Sequence, residues 1–255
     1  ILTTIDGAIK NIAAPGDLGQ APGFSPDGEK IVFAAVRANH IGLWLLEGGK
    51  ERQLAMEPLS SKPDNIIWSS DDNQIVFNLG NDIFQHNLLT NNTRLLWVSG
   101  ARARPVSYND NSNLLFVLKQ HNETTNLWRV ENNQEKQLTF GALSSAIAYR
   151  EKIFFQYAGE KGLWVYNTLD ESLGLLYPQI PADSKLLSAD ELGIFFLTGS
   201  DCQESDIYYQ AYNNEEKSRF LGQKTPAVIT LAFNRHRGLL QTECYLPEAD
   251  IFIMQ

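Results

Sequence analysis

The sequence predicts an all-β fold, namely a six-bladed β-propeller made of four-stranded blades. Three observations support this prediction. A short aromatic motif recurs six times, a tight-turn motif precedes each copy, and a short polar strand follows it. The chain has 255 residues, of which 43% are hydrophobic and 20% charged, so it is long enough to bury a large core as one domain.

The recurring motif is a polar residue or glycine, then leucine or isoleucine, then an aromatic residue. Its six copies are Gly42-Leu43-Trp44, Asp82-Ile83-Phe84, Asn126-Leu127-Trp128, Gly162-Leu163-Trp164, Asp206-Ile207-Tyr208 and Asp250-Ile251-Phe252. Successive aromatic residues lie 36 to 44 positions apart, which is the period of a propeller blade. A β-sandwich gives no reason for such a period. We expect the indoles of Trp44, Trp128 and Trp164 to pack between blades.

A tight turn between two hydrophobic strands precedes each motif. The segments 24–33 (FSPDGEKIVF) and 68–77 (WSSDDNQIVF) match position by position, and looser copies span 108–116, 149–155, 187–196 and 233–240. Pro-Asp-Gly and Asp-Asp-Asn form turns because proline presets φ and glycine or asparagine tolerates positive φ. These hairpins supply strands a and b of each blade and the aromatic motif supplies strand c. Strand d follows, as in Arg52-Gln53-Leu54, and its charged residues protect an exposed edge.

The ring needs both ends of the chain to close. The last unit ends at residues 251–255 without a strand d, whereas residues 1–12 precede the first strand a. We therefore expect the N-terminal segment to pair outside the c strand at Ile251–Phe252, so that only short edges remain. The predicted blades of this single domain, 1–255, are about 16–57, 58–100, 101–141, 142–181, 182–224, and 225–255 together with 1–15.

The segment 24–33, followed by Gly42-Leu43-Trp44 and Arg52-Gln53-Leu54, resembles the TolB-like (PD40, WD40-like) propeller repeat. Gln137-Leu138-Thr139 repeats the last motif of that family. The resemblance covers nearly the whole chain and is close in the first blade, whereas the last three blades are degenerate. The repeat is specific for the fold and only weakly informative about function.

The resemblance implies a bacterial periplasmic protein that binds a protein or a small-molecule signal at one propeller face and is not an enzyme. We expect the extracytoplasmic sensory domain of a membrane-anchored winged-helix transcriptional regulator of the CadC or ToxR type. The alternative is a free-standing TolB-like scaffold that binds a lipoprotein or peptide. Because the sequence starts at Ile1 without methionine, we expect the regulator's DNA-binding and membrane-spanning segments to lie upstream. The Gly-x-Ser-x-Gly motif of prolyl-oligopeptidase-type enzymes is absent from the sequence.

The net charge, the sequence motifs and the histidines indicate which functions to expect of this chain. The net charge is −9, and the densest basic spot is Arg102-Ala103-Arg104, so we expect this chain to make no direct contact with nucleic acid. The motifs of zinc peptidases, Cys-x-x-Cys sites and EF-hands are absent from the sequence. We therefore expect no catalytic residues, no metal and no cofactor, and we interpret the four histidines, His40, His86, His121 and His236, as surface or loop residues.

The b–c and d–a loops of a propeller share one face, and binding residues commonly lie on loops held by a rigid scaffold. The longest polar b–c loops are residues 119–125, 199–205 and 243–249. We predict that this face binds the partner around the channel mouth. The candidate contacts are Arg37, His40, Arg102, Arg104, Lys119, His121, Lys161, Asp201 and Glu204.

The two cysteines, Cys202 and Cys244, lie in b–c loops of adjacent blades on this same face. That shared placement predicts a disulfide, which would be consistent with the oxidising periplasm. The alternative is two independent thiols, because the sequence does not determine the distance between them.

Overall fold

The computed structural model describes residues 2–3, 9–10, 20–54, 59, 61–69, 71–182, 184–198, 205–213, 217–225, 228–234 and 238–243. In these ranges every regular element is a β-strand, and no helix has the length and apolar character needed to cross a bilayer.

The strands are numbered in chain order. They are β1 Leu2–Thr3, β2 Ile9–Lys10, β3 Gln20–Phe24, β4 Lys30–Arg37, β5 His40–Glu47, β6 Lys50–Gln53, β7 Ile66–Trp68, β8 Gln74–Leu79, β9 Asp82–Asn87, β10 Asn92–Trp97, β11 Ala103–Asn109, β12 Leu114–His121, β13 Thr124–Glu131, β14 Gln134–Gln137, β15 Leu143–Tyr149, β16 Lys152–Tyr157, β17 Leu163–Asn167, β18 Leu173–Tyr177, β19 Lys185–Ala189, β20 Gly193–Thr198, β21 Ser205–Ala211, β22 Lys217–Thr225, β23 Val228–Asn234 and β24 Gly238–Glu243.

These strands form an all-β propeller of four-stranded antiparallel blades. Five complete blades, rather than the six predicted, consist of consecutive strands: β3–β6, β7–β10, β11–β14, β15–β18 and β19–β22. Blades 1 to 5 are numbered in this order. Their strands fall within the predicted blade ranges, except that β22 runs one residue further, to Thr225.

A further four-stranded sheet combines both ends of the described chain, in the order β2-β1-β24-β23. The innermost strands contact one another in a cycle, from β3 through β7, β11, β15, β19 and β23 back to β3. This sheet therefore lies between blade 5 and blade 1.

The N-terminal strands pair into that sheet, but not at the position predicted. Leu2 lies opposite Leu240, so β1 is the direct neighbour of β24, and β2 is the outer strand. The expectation that this segment pairs outside a c strand is therefore wrong, because its two short runs supply two strands and take both the c and d positions. Ile251 and Phe252 lie outside the described residues.

The Ser-x-Asp sequence organises the a–b turns of blades 1 and 2. The backbone N–H of Lys30 donates to Ser25 Oγ over 2.9 Å, and the Ser25 hydroxyl donates to Asp27 Oδ1 over 2.5 Å. Ser69 and Asp71 repeat the second bond at 2.5 Å. The polar residues of this motif therefore satisfy one another in the turn, which is a structural role.

The core lies between the blades. One buried cluster joins Val32 and Leu43 of blade 1 to Ile75 and Phe77 of blade 2. The b strands are apolar on both faces because each face packs against a different neighbouring blade. As predicted, the indoles of Trp128 and Trp164 pack against clusters that join two blades, and each is partly buried. The indole of Trp44 is also partly buried, against a cluster of blade 1 residues.

Candidate functional site

Antiparallel connectivity gives the propeller two loop faces. The turns that join strand b to strand c, and the connections that join strand d to the next strand a, form one face, here called the b–c face. The a–b and c–d turns form the opposite face, here called the a–b face. The described candidate contacts all lie at the ends of strands, or in loops, on the b–c face. Asp201 and Glu204 lie outside the described residues, as do Cys202 and Cys244.

Blade 3 brings four of the candidates together. Arg102 precedes β11 and Arg104 lies at its start, and Lys119 and His121 lie at the end of its neighbour β12. The Gln120 backbone N–H donates to the Arg102 carbonyl over 2.9 Å. This pairing places the four basic residues together at the b–c end of blade 3, here called the basic edge.

Lys119 is buried rather than available to a partner, because its side chain is enclosed by two indoles and a carboxylate. Its ammonium donates to Glu135 Oε2 over 2.5 Å and lies 5.2 Å from the ring centres of both Trp97 and Trp128. Only 8% of the residue is exposed. Lys119 therefore joins the last strand of blade 2 to blade 3 through cation–π contacts.

Exposed His121 lies against the same indole. Its ring meets Trp128 edge-on, with the centroids 5.7 Å apart. In blade 4 the ring of Tyr157 meets Trp164 in the same manner at 5.5 Å. The c-strand tryptophans thus extend toward the b–c face and contact the ends of the b strands.

In blade 1 the motif begins with glycine, Gly42. Residues two apart in a strand share a face, so Gly42 lies beside Trp44. A Cβ at Gly42 would lie 3.4 Å from Trp44 Nε1 and 3.0 Å from the Gln53 amide nitrogen. The glycine therefore leaves room for the Gln53 amide beside the indole of Trp44, and the guanidinium of Arg37 packs over that indole at 3.7 Å.

Arg102 and Arg104 share one nearby carboxylate. Arg102 Nη2 lies 3.0 Å from Asp64 Oδ2 in the connection that precedes blade 2. Burial lowers the pKa of Arg104, Arg102 lowers it further, and the Asp64 carboxylate opposes both effects. Two guanidinium groups for one carboxylate leave an excess of positive charge at this edge of the face.

A hollow of about 320 Å³ with mixed polar and apolar lining lies between blades 3 and 4. Its lining residues are Leu138, Thr139, Phe140, Gly141, Tyr157, Glu160 and Leu173. Phe140 is 85% exposed. Phe140 was not among the predicted contacts, although an aromatic residue between a d strand and Gly141 is a signal in the sequence.

The remaining candidates lie apart from this group. His40 is exposed, with its Nδ1 2.8 Å from the Ala38 carbonyl oxygen, and Lys161 is exposed in the b–c loop of blade 4.

His86 is not a surface or loop residue, so that prediction is wrong. It lies in β9, where neighbouring blades cover both faces of the strand, and it is fully buried. Its Nδ1 lies 2.8 Å from Thr93 Oγ1. Burial lowers the pKa of His86, the positive charge of Arg52 lowers it further, and Asn91 opposes the shift.

No group of three or more histidine, cysteine or acidic side chains in the described ranges is placed to hold a metal ion. The arrangement of the b–c face is suited to non-covalent recognition, since it combines an exposed aromatic side chain with a hollow and the basic edge.

Solved structures share this architecture at low sequence identity. TolB from Acinetobacter baumannii matches at 17% identity with a TM-score of 0.65, over 87% of this chain and 59% of its own. A protein of Agrobacterium tumefaciens assigned as a TolB matches at 10% identity with a TM-score of 0.70, over 89% and 90% of the two chains. An oligogalacturonate lyase solved with manganese matches at 14% identity with a TM-score of 0.59, over 89% and 72%.

These matches concern the fold, and an enzyme is among them. No family model matches the sequence, and no curated protein matches it. The chain spans about three fifths of the length of the Acinetobacter TolB. The chain therefore has the fold of the TolB-like β-propellers.

Proposed function

We propose that this propeller is a non-catalytic protein-interaction scaffold that binds its partner through the b–c face. The observation that carries the proposal is Phe140, 85% exposed at an open hollow of about 320 Å³. A large aromatic side chain at a pocket is the usual energetic centre of a protein interface, and charged groups around it steer and orient the partner.

The chemistry of the face indicates the partner. The hollow accepts an apolar side chain beside Phe140, and Arg102 and Arg104, elsewhere on the same face, favour acidic residues in the partner. Exposed Lys161 lies on the same face. A protein segment that presents an apolar residue to the hollow and carboxylates to the basic residues of the same face is therefore the partner we propose.

We also propose that the sheet β2-β1-β24-β23 is the sixth blade and that residues 1–255 form one closed domain. The contacts of β23 with both β19 and β3 support this proposal. In a closed ring each blade covers both of its neighbours, and only short outer edges remain.

We place the protein outside the cytoplasm, because its repeat resembles that of TolB. The finer expectation, a sensory domain of a membrane-anchored regulator, rests on the sequence alone. The gene upstream of Ile1 tests it: a winged-helix region followed by about 20 apolar residues would support a regulator. A secretion signal with a small additional domain would support a free-standing scaffold. In neither case do we propose direct contact between this chain and nucleic acid.

Site-specific photo-crosslinking in the native host tests the interaction face. A benzophenone amino acid replaces Phe140 in one variant and Leu169 in the other. Leu169 is 78% exposed and lies in the c–d turn of blade 4, on the a–b face. We expect a discrete protein adduct from position 140 and none from position 169.

The same probe placed at His121 gives the second measurement. We expect its adduct to weaken when Phe140→Ala is introduced and to persist with Leu169→Ala. Adducts from 169 alone, or equal adducts from both faces, would contradict the assignment of the b–c face. Release of unsaturated products from oligogalacturonate by the purified chain would contradict its non-catalytic character.

A further inference from the structure

A second pocket lies on the opposite, a–b face, in the gap between blades 2 and 3. It encloses about 200 Å³. Blade 2 contributes side chains from β8, β9, β10 and the c–d turn, and blade 3 contributes Asp110 from its a–b turn. The lining residues are Gln74, Gln85, Asn87, Thr90, Asn92, Arg94 and Asp110.

Every side chain that lines this pocket is polar, which is unusual for a gap between blades. Val76 of β8 lies opposite Gln85, which is 4% exposed. The equivalent pair in blade 1 is Val32 opposite Leu45, which is 1% exposed. Burying an amide costs free energy unless it is hydrogen-bonded, whereas burying a leucine stabilises the fold. Packing alone therefore does not explain the glutamine.

The buried amides hold the carboxylate of Asp110 at the pocket wall. Gln74 Nε2 donates to Oδ2 over 2.9 Å, Tyr108 donates its hydroxyl hydrogen to Oδ1 over 3.0 Å, and Gln85 Nε2 donates to Oδ1 over 3.3 Å. Gln74 Oε1 is buried and has no hydrogen-bond partner in the described part of the chain. The network thus fixes a partly exposed acceptor in one geometry.

The same network orients a donor beside that acceptor. Arg94 Nε donates to Gln85 Oε1 over 2.5 Å, and Arg94 Nη2 lies 3.8 Å from Asp110 Oδ1. The Arg94 and Asp110 side chains remain 59% and 43% exposed, so their remaining N–H groups and lone pairs are available to a ligand. Pre-oriented groups lose little freedom when a ligand binds.

We propose that this pocket binds a small neutral polyhydroxylated ligand, of the size of one sugar residue. The positive charge of Arg94 and the negative charge of Asp110 offset each other, so the pocket favours neither an anionic nor a cationic ligand. Adjacent hydroxyl groups both donate and accept hydrogen bonds, which matches an arginine donor beside a carboxylate acceptor. The volume is below the roughly 300–1,000 Å³ of pockets for drug-sized molecules. This proposal is independent of the interaction face at Phe140.

Two side chains at the rim allow a test that leaves the network intact. The side chains of Thr90 and Asn92 are exposed, and in the described residues neither makes a hydrogen bond. Asn92 begins β10, opposite Asn87, and the equivalent residue in blade 3 is exposed Gln134, opposite Glu131. Gln134→Ala is therefore the matched control for Asn92→Ala.

The experiment is saturation-transfer NMR on the whole chain with D-glucose, D-galactose and N-acetyl-D-glucosamine, and with D-galacturonate and inorganic phosphate as anionic probes. We expect transfer to at least one neutral sugar with a Kd of the order of 1 mM. Asn92→Ala and Thr90→Ala should each raise this Kd about tenfold, and Gln134→Ala should leave the Kd unchanged.

Three outcomes would overturn the proposal. The first is no transfer to any of the three neutral sugars. The second is binding that survives unchanged in both rim variants. The third is binding of the anionic probes alone, which would make this an anion site at Arg94. Unchanged unfolding midpoints of the rim variants would establish that a loss of binding is not a loss of fold.

Discussion

The guanidinium carbon of Arg37 lies 3.7 Å above the centre of the Trp44 indole, and Arg37 Nη2 lies 2.8 Å from Glu51 Oε2. The stacked cation therefore links strands b, c and d of blade 1. We expect a double-mutant cycle of Arg37→Met and Trp44→Leu to show a coupling of about 0.5–2 kcal/mol in urea unfolding.

Glu51→Gln is the control for the ion pair. This pair is about a quarter exposed on both sides, so the variant should destabilise the fold by no more than about 1 kcal/mol. Additive effects of Arg37→Met and Trp44→Leu would show that the stacking contributes no stability.

The N-terminal strand allows a backbone test of closure. Because β1 has a paired neighbour on each side, the N–H of Thr3 points at one of them, and proline cannot donate a hydrogen bond. Thr3→Pro should cost about 2 kcal/mol and lower the unfolding midpoint by about 5 °C. It should also promote aggregation by exposing the edge of β24.

Differential scanning calorimetry and light scattering measure both effects. Thr3→Val retains the N–H and should melt close to the wild-type temperature. A Thr3→Pro chain that stays monomeric and melts with the wild type would contradict the pairing of β1 with β24.

Asp110 links two blades through its hydrogen bonds, so removing it should destabilise the fold. Asp110→Ala leaves the buried Gln74 amide without its acceptor and leaves the Tyr108 hydroxyl only the longer bond of 3.4 Å to Asn113 Oδ1. We expect a loss of about 1–3 kcal/mol. Asn111→Ala, at the exposed neighbouring position, should change stability by less than about 0.5 kcal/mol.

The contribution of Asp110 should also depend on pH. The hydrogen bond from Gln74 holds the pKa of Asp110 below its usual value of 3.8, and Tyr108, Gln85 and Arg94 add to this, against the effect of desolvation. The stabilisation is therefore complete above pH 3.8 and is lost as the pH falls through the folded-state pKa. The difference in the free energy of unfolding between wild type and Asp110→Asn should shrink as the pH falls below 4. A difference that stays constant would contradict the lowered pKa of Asp110.

His86 predicts a second, separate pH effect. Its pKa in the folded state is lowered from 6.5 by burial, so in the unfolded state it takes up a proton at a higher pH than in the folded state. Stability should therefore fall as the pH drops through about 6.5, with a slope of at most about 1.4 kcal/mol per pH unit.

Urea unfolding of wild type and His86→Asn between pH 8 and 5 measures this contribution. The variant should show the smaller dependence on pH. His121→Asn, which removes an exposed imidazole, is the control. Parallel curves for wild type and His86→Asn would refute the role of His86.

The position of the candidate residues along the strands could be predicted from the sequence, but their solvent exposure could not. The strand order alone places four candidate residues on the b–c face, because antiparallel strands alternate in direction. These residues are Arg37, His40, Lys119 and His121. The solvent exposure of those residues does not follow from strand order. Lys119 is covered by Trp97 from blade 2, a residue 22 positions earlier in the sequence.

The sequence by itself determined the repeating blade, because its signals act over short distances. Side chains alternate with period two along a strand, and turns such as Ser25-Pro-Asp-Gly28 satisfy their own polar groups. These preferences are local, and the tight turns predicted within 24–33 and 68–77 join β3 to β4 and β7 to β8.

The tertiary structure alone decided the features that depend on packing between blades. It placed β1 beside β24, buried His86, left Phe140 exposed and gathered Gln74, Gln85 and Asp110 into one network. Each of these depends on which residues a neighbouring blade presents across the gap. Contacts between neighbouring blades depend on how the blades pack, for which a single blade carries no signal.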